Sequence, residues 1–174
     1  MRVVAGRARG RRLASPRGRT VRPTSDRVRE ATFNALSSLD ALEDASVLDL
    51  FAGSGALGIE ALSRGAAAAT FVDHDPTALV AVRANLATTG LAAAGTVVRS
   101  DASRFVASGP GRFDLALLDP PYDFDGSSWS GLLDLVEAGL AVLESDREID
   151  PGERWEPVRV KRYGATVVTF VRLR

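Results

Sequence analysis

Two short stretches hold residues whose types and spacing could do chemistry. The first is Asp119-Pro120-Pro121-Tyr122. Two prolines stiffen it and remove two backbone donors, which leaves carbonyls free to accept. A carboxylate at Asp119 and the Pro120 carbonyl can together hold both hydrogens of an exocyclic amine, and Tyr122 can stack on an aromatic ring. Read more simply, the same four residues are an Asp-Pro turn with a packing tyrosine. The second stretch is Gly53-x-Gly55-x-x-Gly58, which follows the apolar run Val47-Leu48-Asp49-Leu50-Phe51. The first two glycines permit a tight turn and close backbone approach, and the third lets a helix lie near the strand.

Three spaced glycines can also mean no more than a turn that needs glycine. Asp73 argues for more. It ends the next apolar run, Ala69-Thr70-Phe71-Val72, twenty positions after Gly53. A carboxylate there can accept two ribose hydroxyls, while the free N–H groups of the helix start face whatever lies over the turn. The combination suits a nucleotide-type cofactor, NAD as well as S-adenosylmethionine.

Positioning these residues requires alternating strands and helices. Hydrophobic periodicity predicts strands near 46–51, 69–73, 95–100, 114–118 and 140–144, with helices near 56–64, 76–89, 102–108 and 128–139. That alternation implies an α/β fold, a mostly parallel sheet with helices on both faces. Asp73, Asp101 and Asp119 then fall at C-terminal strand ends, where open sheets bind ligands, and Asp49 interrupts the apolar run of the strand before the glycine turn. Residues 158–163 and 166–171 flank Gly164-Ala165 and read as an antiparallel hairpin, an unusual ending for a dinucleotide dehydrogenase. Residues 145–156 read as a linker. The helix expected to end at Gly139 runs straight into the next strand, which implies either a very tight connection or missing residues. Upstream, 25–38 reads as a helix opened by Pro23-Thr24-Ser25. Residues 1–22 read as a small β element, with strands at Arg2–Ala5 and Arg11–Ala14 around the Gly6–Gly10 turn and a second turn at Ser15–Gly18; a disordered basic tail is the alternative.

The chain has 174 residues, 45% of them hydrophobic, enough for one domain with a real core. No apolar run is long enough to span a bilayer and no signal-peptide pattern is present. The absence of cysteine and the single histidine, His74, argue against a metal centre and a Ser-His-Asp triad, and suit a cytoplasmic protein. A formal net charge of zero conceals an asymmetry. Residues 1–30 hold ten arginines against Asp26 and Glu30, a net +8, so the remainder is −8. A basic end on an acidic body points to a polyanionic partner.

The order Asp49-x-Phe51-x-Gly53-x-Gly55, an acidic strand end and D-P-P-Y resembles the amino-directed branch of class I S-adenosylmethionine methyltransferases. Arg22-Pro23-Thr24-Ser25-Asp26-Arg27-Val28-Arg29-Glu30-Ala31 and the stretch Asp49–Gly65 are similar to the bacterial 16S ribosomal RNA guanine-N2 methyltransferase family that modifies guanine 966 of the small subunit. The resemblance runs from Arg2 to the C-terminal hairpin. It departs at Asp73, where relatives often carry Glu, and at the short connection near Gly139.

The resemblance implies a class I, Rossmann-like methyltransferase domain over 23–174, with residues 1–22 as a basic β-hairpin extension that binds RNA. Asp49, Ala52, Gly53, Ser54 and Gly55 would sit by the methionine moiety of S-adenosylmethionine, Asp73 on the ribose, and His74 beside the adenine (an exposed loop histidine being the alternative). Asp101 and the Ala102 N–H would meet the adenine edge. Asp119, also next to the cofactor, would receive the guanine with Pro120 and Tyr122. Arg7, Arg9, Arg11, Arg12, Arg22, Arg27 and Arg29 would grip the phosphates of 16S rRNA, in the small subunit or an assembly intermediate. The product would be S-adenosylhomocysteine, with no metal and no membrane, and the protein is expected to act as a monomer. D-P-P-Y is shared with enzymes that methylate adenine N6 or cytosine N4, which leaves those amines as the alternative targets. A nicotinamide oxidoreductase and a non-catalytic RNA-binding module are the readings from other classes.

Overall fold

The computed structural model describes residues 1–16, 26–121 and 123–174. The expected turn at Ser15–Gly18 in part, the helix start Pro23–Ser25, and Arg22 and Tyr122 lie outside the described residues. In chain order the elements are α1 (Asp26–Ser38), β1 (Ser46–Leu50), α2 (Ala56–Ser63), β2 (Ala68–Asp73), α3 (Pro76–Thr89), β3 (Gly95–Arg99), α4 (Ala102–Ala107), β4 (Phe113–Leu118), α5 (Gly126–Leu133), β5 (Ala138–Ser145), β6 (Trp155–Tyr163) and β7 (Thr166–Leu173). Among the described residues the seven strands form one sheet in the order β3-β2-β1-β4-β5-β7-β6. The first five run parallel, and β7 inserts antiparallel between β5 and β6. The order reverses between β1 and β4, so the loops after β1 and β4 open a crevice at one end of the sheet, the place where such sheets hold ligands.

Helix starts follow local chemistry. Asp75, Asp101 and Asp125 cap α3, α4 and α5, their carboxylates accepting from Thr77, Arg104 and Ser128 N–H respectively. Pro76 fills the first turn of α3, where its missing N–H costs nothing. Side-chain alternation divides the core. Val47 of β1 and Phe71 of β2 point to the face covered by the N-terminal segment, α1, α2 and α3. Leu48, Leu50 and Val72 point to the face covered by α4, α5 and Trp155. No helix among the described residues is long and apolar enough to cross a membrane.

Two expectations need correcting. The helix placed at 128–139 ends at Leu133; residues 134–137 connect it to β5, and Gly139 lies within that strand. The junction near Gly139 is therefore an ordinary short connection. At the N-terminus the two expected strands reduce to one antiparallel bridge, Arg2 to Arg12. Val3, Gly10 and Leu13 N–H still pair the two arms, donating to the Arg11, Val3 and Met1 carbonyls, while Val4, Ala5, Ala8 and Ala14 N–H donate to side chains of α2 and α3.

Candidate active site

The glycine loop leaves β1 through Phe51, which has φ +65°, and turns at Gly53 (φ +57°) and Gly55 (φ +78°). Left-handed backbone at the two glycines is what the spacing anticipates. Gly58 has a different reason. A Cβ there would lie 2.4 Å from Phe71 Cε1 and 3.0 Å from Asp49 Oδ2. Asp49, on the same strand face as Val47, meets the start of α2, where Oδ2 accepts from Gly58 N–H at 2.9 Å. Burial pushes its carboxyl well above the usual range. The nearby charges of Asp119 and Asp73 push the same way, against the Gly58 N–H. Three carboxylates therefore gather around the loop.

Asp73 is 6% exposed. Its Oδ2 accepts from Gly53 N–H at 2.9 Å and its Oδ1 from Asp75 N–H at 2.9 Å. The strand-end acid thus braces the glycine loop directly, and each oxygen retains a second lone pair for a ligand hydroxyl. His74 is largely exposed beside it, with Nδ1 3.7 Å from Asp73 Oδ1. Ala52 and Ser54 are buried within the loop. Asp101 spends Oδ1 on capping α4 while staying exposed, and Ala102 is buried as the first helical residue. Asp119 and Pro120 are half-buried at the end of β4. The structure therefore brings Asp49, the loop, Asp73 and Asp119 to one crevice, with Asp101 at the next strand end.

The arginines divide. Arg7, Arg9, Arg11, Arg12 and Arg27 are exposed. Arg29 is 0% exposed, which overturns its assignment to an RNA-gripping surface. Its Nη2 donates to the Arg2 carbonyl and to Asp26 Oδ1, and its Nε lies 3.7 Å from Glu60 Oε2. The N-terminal segment is not a free arm either. Val3, Ala8 and Leu13 are buried, Val4 and Ala5 N–H donate to the Glu60 carboxylate at 2.8 and 3.0 Å, and Ala8 N–H donates to Ser63 Oγ at 3.0 Å. The basic segment is a fixed surface of the body, with its apolar residues inward and its guanidinium groups outward.

Comparison with known proteins sets this arrangement in a family. The family model described as "Conserved hypothetical protein 95" matches residues 1–172. The chain belongs to the Conserved hypothetical protein 95 family. The family match includes the docked N-terminal segment as well as the sheet. The Bacillus subtilis (strain 168) protein YlbH, provisionally named an rRNA methyltransferase, is 38% identical over 187 residues and aligns over 100% of both chains. Ribosomal RNA small subunit methyltransferase D of Escherichia coli (strain K12) is 44% identical over 122 residues, 70% of this chain and 60% of that protein. A solved Escherichia coli structure, provisionally named a methyltransferase, superposes with a TM-score of 0.85 at 36% identity, covering 99% of this chain and 97% of that one. The α/β expectation with its closing antiparallel strands is thus met in both fold and kinship.

In this member of the family, side chains that the sequence reading did not single out hold the site together. Glu60 is 0% exposed and ties the N-terminal segment, Arg29 and Arg64 to α2. Its signal was a lone carboxylate inside the apolar helix Ala56–Ser63. Phe124 packs edge-on against Phe51 (centroids 5.4 Å) and Trp129 (5.3 Å), and its carbonyl accepts from Arg147 Nη2 at 2.8 Å. Phe124, whose N–H donates to the Pro121 carbonyl at 3.0 Å, thereby braces the residues after β4 against Phe51 at the start of the glycine loop. Asn85, buried in α3, had no signal beyond being a polar residue in a mostly apolar helix.

Proposed function

We propose that the protein transfers a methyl group from S-adenosylmethionine to the exocyclic N2 amine of a guanine in 16S ribosomal RNA of the small subunit. The observation that carries this reading is the acid-lined glycine loop, with Asp49, Asp73 and Asp119 in one crevice and the D-P-P motif at its edge. Three carboxylates favour a ligand that carries ammonium and sulfonium charge and disfavour the pyrophosphate of a nicotinamide dinucleotide. The names of the relatives support rRNA methylation, D-P-P-Y supports an exocyclic amine as the target, and the resemblance of Arg22–Ala31 and Asp49–Gly65 to the guanine-N2 family supports guanine N2.

When bound, S-adenosylmethionine supplies an electrophilic methyl group on sulfur. Asp49 balances the ammonium end of that ligand, and Asp73 accepts from its ribose hydroxyls. Asp101 and the Ala102 N–H address the adenine edge. The lone pair of guanine N2 is delocalised into the ring, so the amine is a weak nucleophile. Asp119 and the Pro120 carbonyl, by accepting one N2 hydrogen each, draw that nitrogen towards tetrahedral geometry and stabilise the positive charge that develops on it. Holding the amine in line with the methyl supplies much of the remaining rate. No strong base is needed before attack, because the amine becomes acidic once methylated, so the lack of a catalytic histidine is no obstacle. Tyr122 stacks on the base after it leaves its own stack. The exposed guanidinium groups of Arg7, Arg9, Arg11, Arg12 and Arg27 hold phosphates. The test is methylation of small-subunit rRNA with labelled S-adenosylmethionine, then nucleoside analysis. N2-methylguanosine is expected; methyladenosine or methylcytidine would overturn the choice of base, and no incorporation by folded, cofactor-binding protein would overturn the activity.

A further inference from the structure

Asn85 sits in the middle of α3 with 2% of its surface exposed, and all of its side-chain polar atoms are used. Oδ1 accepts from Ala14 N–H at 2.8 Å, while Nδ2 donates to the Ala14 carbonyl at 2.9 Å and to the Ser54 carbonyl at 2.8 Å. The orientation of the amide is fixed by its partners, since a reversed amide would set NH2 against the Ala14 N–H and oxygen against two carbonyls. Ala14 ends the docked basic segment, and Ser54 is the central residue of the glycine loop. One buried amide therefore joins the two surfaces that the proposed reaction needs.

The join controls loop geometry. The peptide plane between Ser54 and Gly55 is pinned at both ends, its carbonyl by Asn85 and its N–H by the Ala52 carbonyl at 2.7 Å. Rotating that plane breaks both bonds. Moving Ala14 pulls on the same side chain. The anchors on α2, Glu60 and Ser63, and Arg29 on α1 have no hydrogen bond to residues 52–55 among the described residues.

We propose that Asn85 is a positioning residue that couples the basic N-terminal segment to the glycine loop, so that S-adenosylhomocysteine or S-adenosylmethionine in the crevice and RNA on the segment change each other's affinity. This rests on the reading that the crevice holds that cofactor and that the segment holds RNA. Coupling is reciprocal by linkage, and factors of about 5- to 150-fold are usual for two coupled sites.

The experiment uses the full chain, S-adenosylhomocysteine as the crevice probe and small-subunit rRNA as the surface probe. RNA affinity is measured with and without saturating S-adenosylhomocysteine, and amide exchange of residues 3–14 is followed under the same two conditions. Wild type should show at least a 5-fold coupling factor and slower exchange in the segment when the probe is bound. Asn85→Ala should lower affinity for S-adenosylhomocysteine roughly 2- to 10-fold through the lost Ser54 bond and reduce the coupling factor to near one. Asn85→Asp keeps the acceptor for Ala14 N–H but loses both donors, so it should uncouple the sites while retaining part of the docking; it carries the test if the alanine variant folds poorly. Ser63→Ala is the control. It loosens the same segment from α2, so it should weaken RNA binding but leave affinity for S-adenosylhomocysteine and the coupling factor at wild-type values. Undiminished coupling in both Asn85 variants would overturn the proposal, as would a wild type that binds both probes independently. A folded wild type that binds neither probe would overturn the functional reading itself.

Discussion

Replacing Glu60 by leucine should loosen the N-terminal segment from the body, because among the described residues no other acceptor serves the Val4 and Ala5 amides. Its carboxylate takes Val4 N–H at 2.8 Å, Ala5 N–H at 3.0 Å and Arg64 Nε at 2.8 Å, with Arg29 Nε at 3.7 Å. The substitution orphans two amides and leaves the buried Arg29, among the described residues, with only the half-exposed Asp26 as counter-charge. Losing one partner of a buried ion pair costs about 3–5 kcal/mol. For a chain of this size each kcal/mol moves Tm by about 2–4 °C, so the expected fall is roughly 6–20 °C by circular dichroism. The fall is capped by the docking energy of the segment. If docking is worth less than the full cost, the segment comes away first, and the Val4 and Ala5 amides exchange at unfolded rates while the body melts near its original temperature. The double variant Glu60→Leu/Arg29→Met should regain part of the loss, since it also removes the stranded guanidinium, whose Nε and Nη1 have no hydrogen-bond partner among the described residues even in the native protein. A single Glu60→Leu variant that keeps Tm within about 2 °C of wild type and protects the Val4 and Ala5 amides would refute this reasoning.

Asp73→Ala should weaken S-adenosylhomocysteine binding by about 1–3 kcal/mol in calorimetry, because it unpairs ribose hydroxyls and frees Gly53 N–H together; unchanged affinity would remove Asp73 from the site. Asp119→Ala should leave cofactor affinity within a few-fold but cut single-turnover methylation by roughly 10²–10³, as losing one preorganised charge-stabilising partner does; a wild-type rate would sink the mechanism. Asp49 has a folded pKa raised above its unfolded value, so the native state keeps the proton longer. Its contribution is full below the unfolded value and is lost as pH rises through the folded one, and a cationic ligand, which favours the ionised carboxylate, should bind more tightly as pH rises through the same window. Urea midpoints of wild type and Asp49→Asn should diverge across that window, and parallel pH profiles would count against it. Removing Arg9, Arg11 and Arg12 together by alanine should weaken RNA binding and reduce the log–log salt slope by about 2–3, whereas an unchanged slope would take these guanidinium groups off the phosphates.

The parallel strands and their helices are legible in the sequence because each β-strand is an apolar run and α3, α4 and α5 have aspartate caps written beside them. The crevice is legible because glycine spacing and strand-end acids are local signals. Arg29 shows where locality fails. In the chain it is one more arginine among ten, and only the packing of α1 against α2 and the N-terminal segment assigns it to Glu60. The end of α5 fails for a similar reason. Leu135 and Val136 continue the apolar pattern, yet the helix stops at Leu133, whose carbonyl accepts from Trp155 Nε1 at 3.0 Å and from Arg154 Nη1 at 3.3 Å, both some twenty residues on. The N-terminal strands shrink to a short pairing around the Arg2–Arg12 bridge because Glu60, Ser63 and Asn85 take the amides of Val4, Ala5, Ala8 and Ala14, partners that no local pattern reveals.

The docking of the N-terminal segment also sets an order of events. Its partners on α2 lie 55–58 positions downstream and its partner on α3 lies 71 downstream. Residues 4–14 are therefore synthesised well before their partners, are among the last able to reach their native contacts, and must close long loops to do so. Contacts made after the folding barrier control unfolding rather than folding. Damage to Glu60 or Asn85 should then speed the loss of the segment and leave the rate at which the sheet assembles nearly untouched. The basic surface is finished only on a body whose acid-lined crevice is already built.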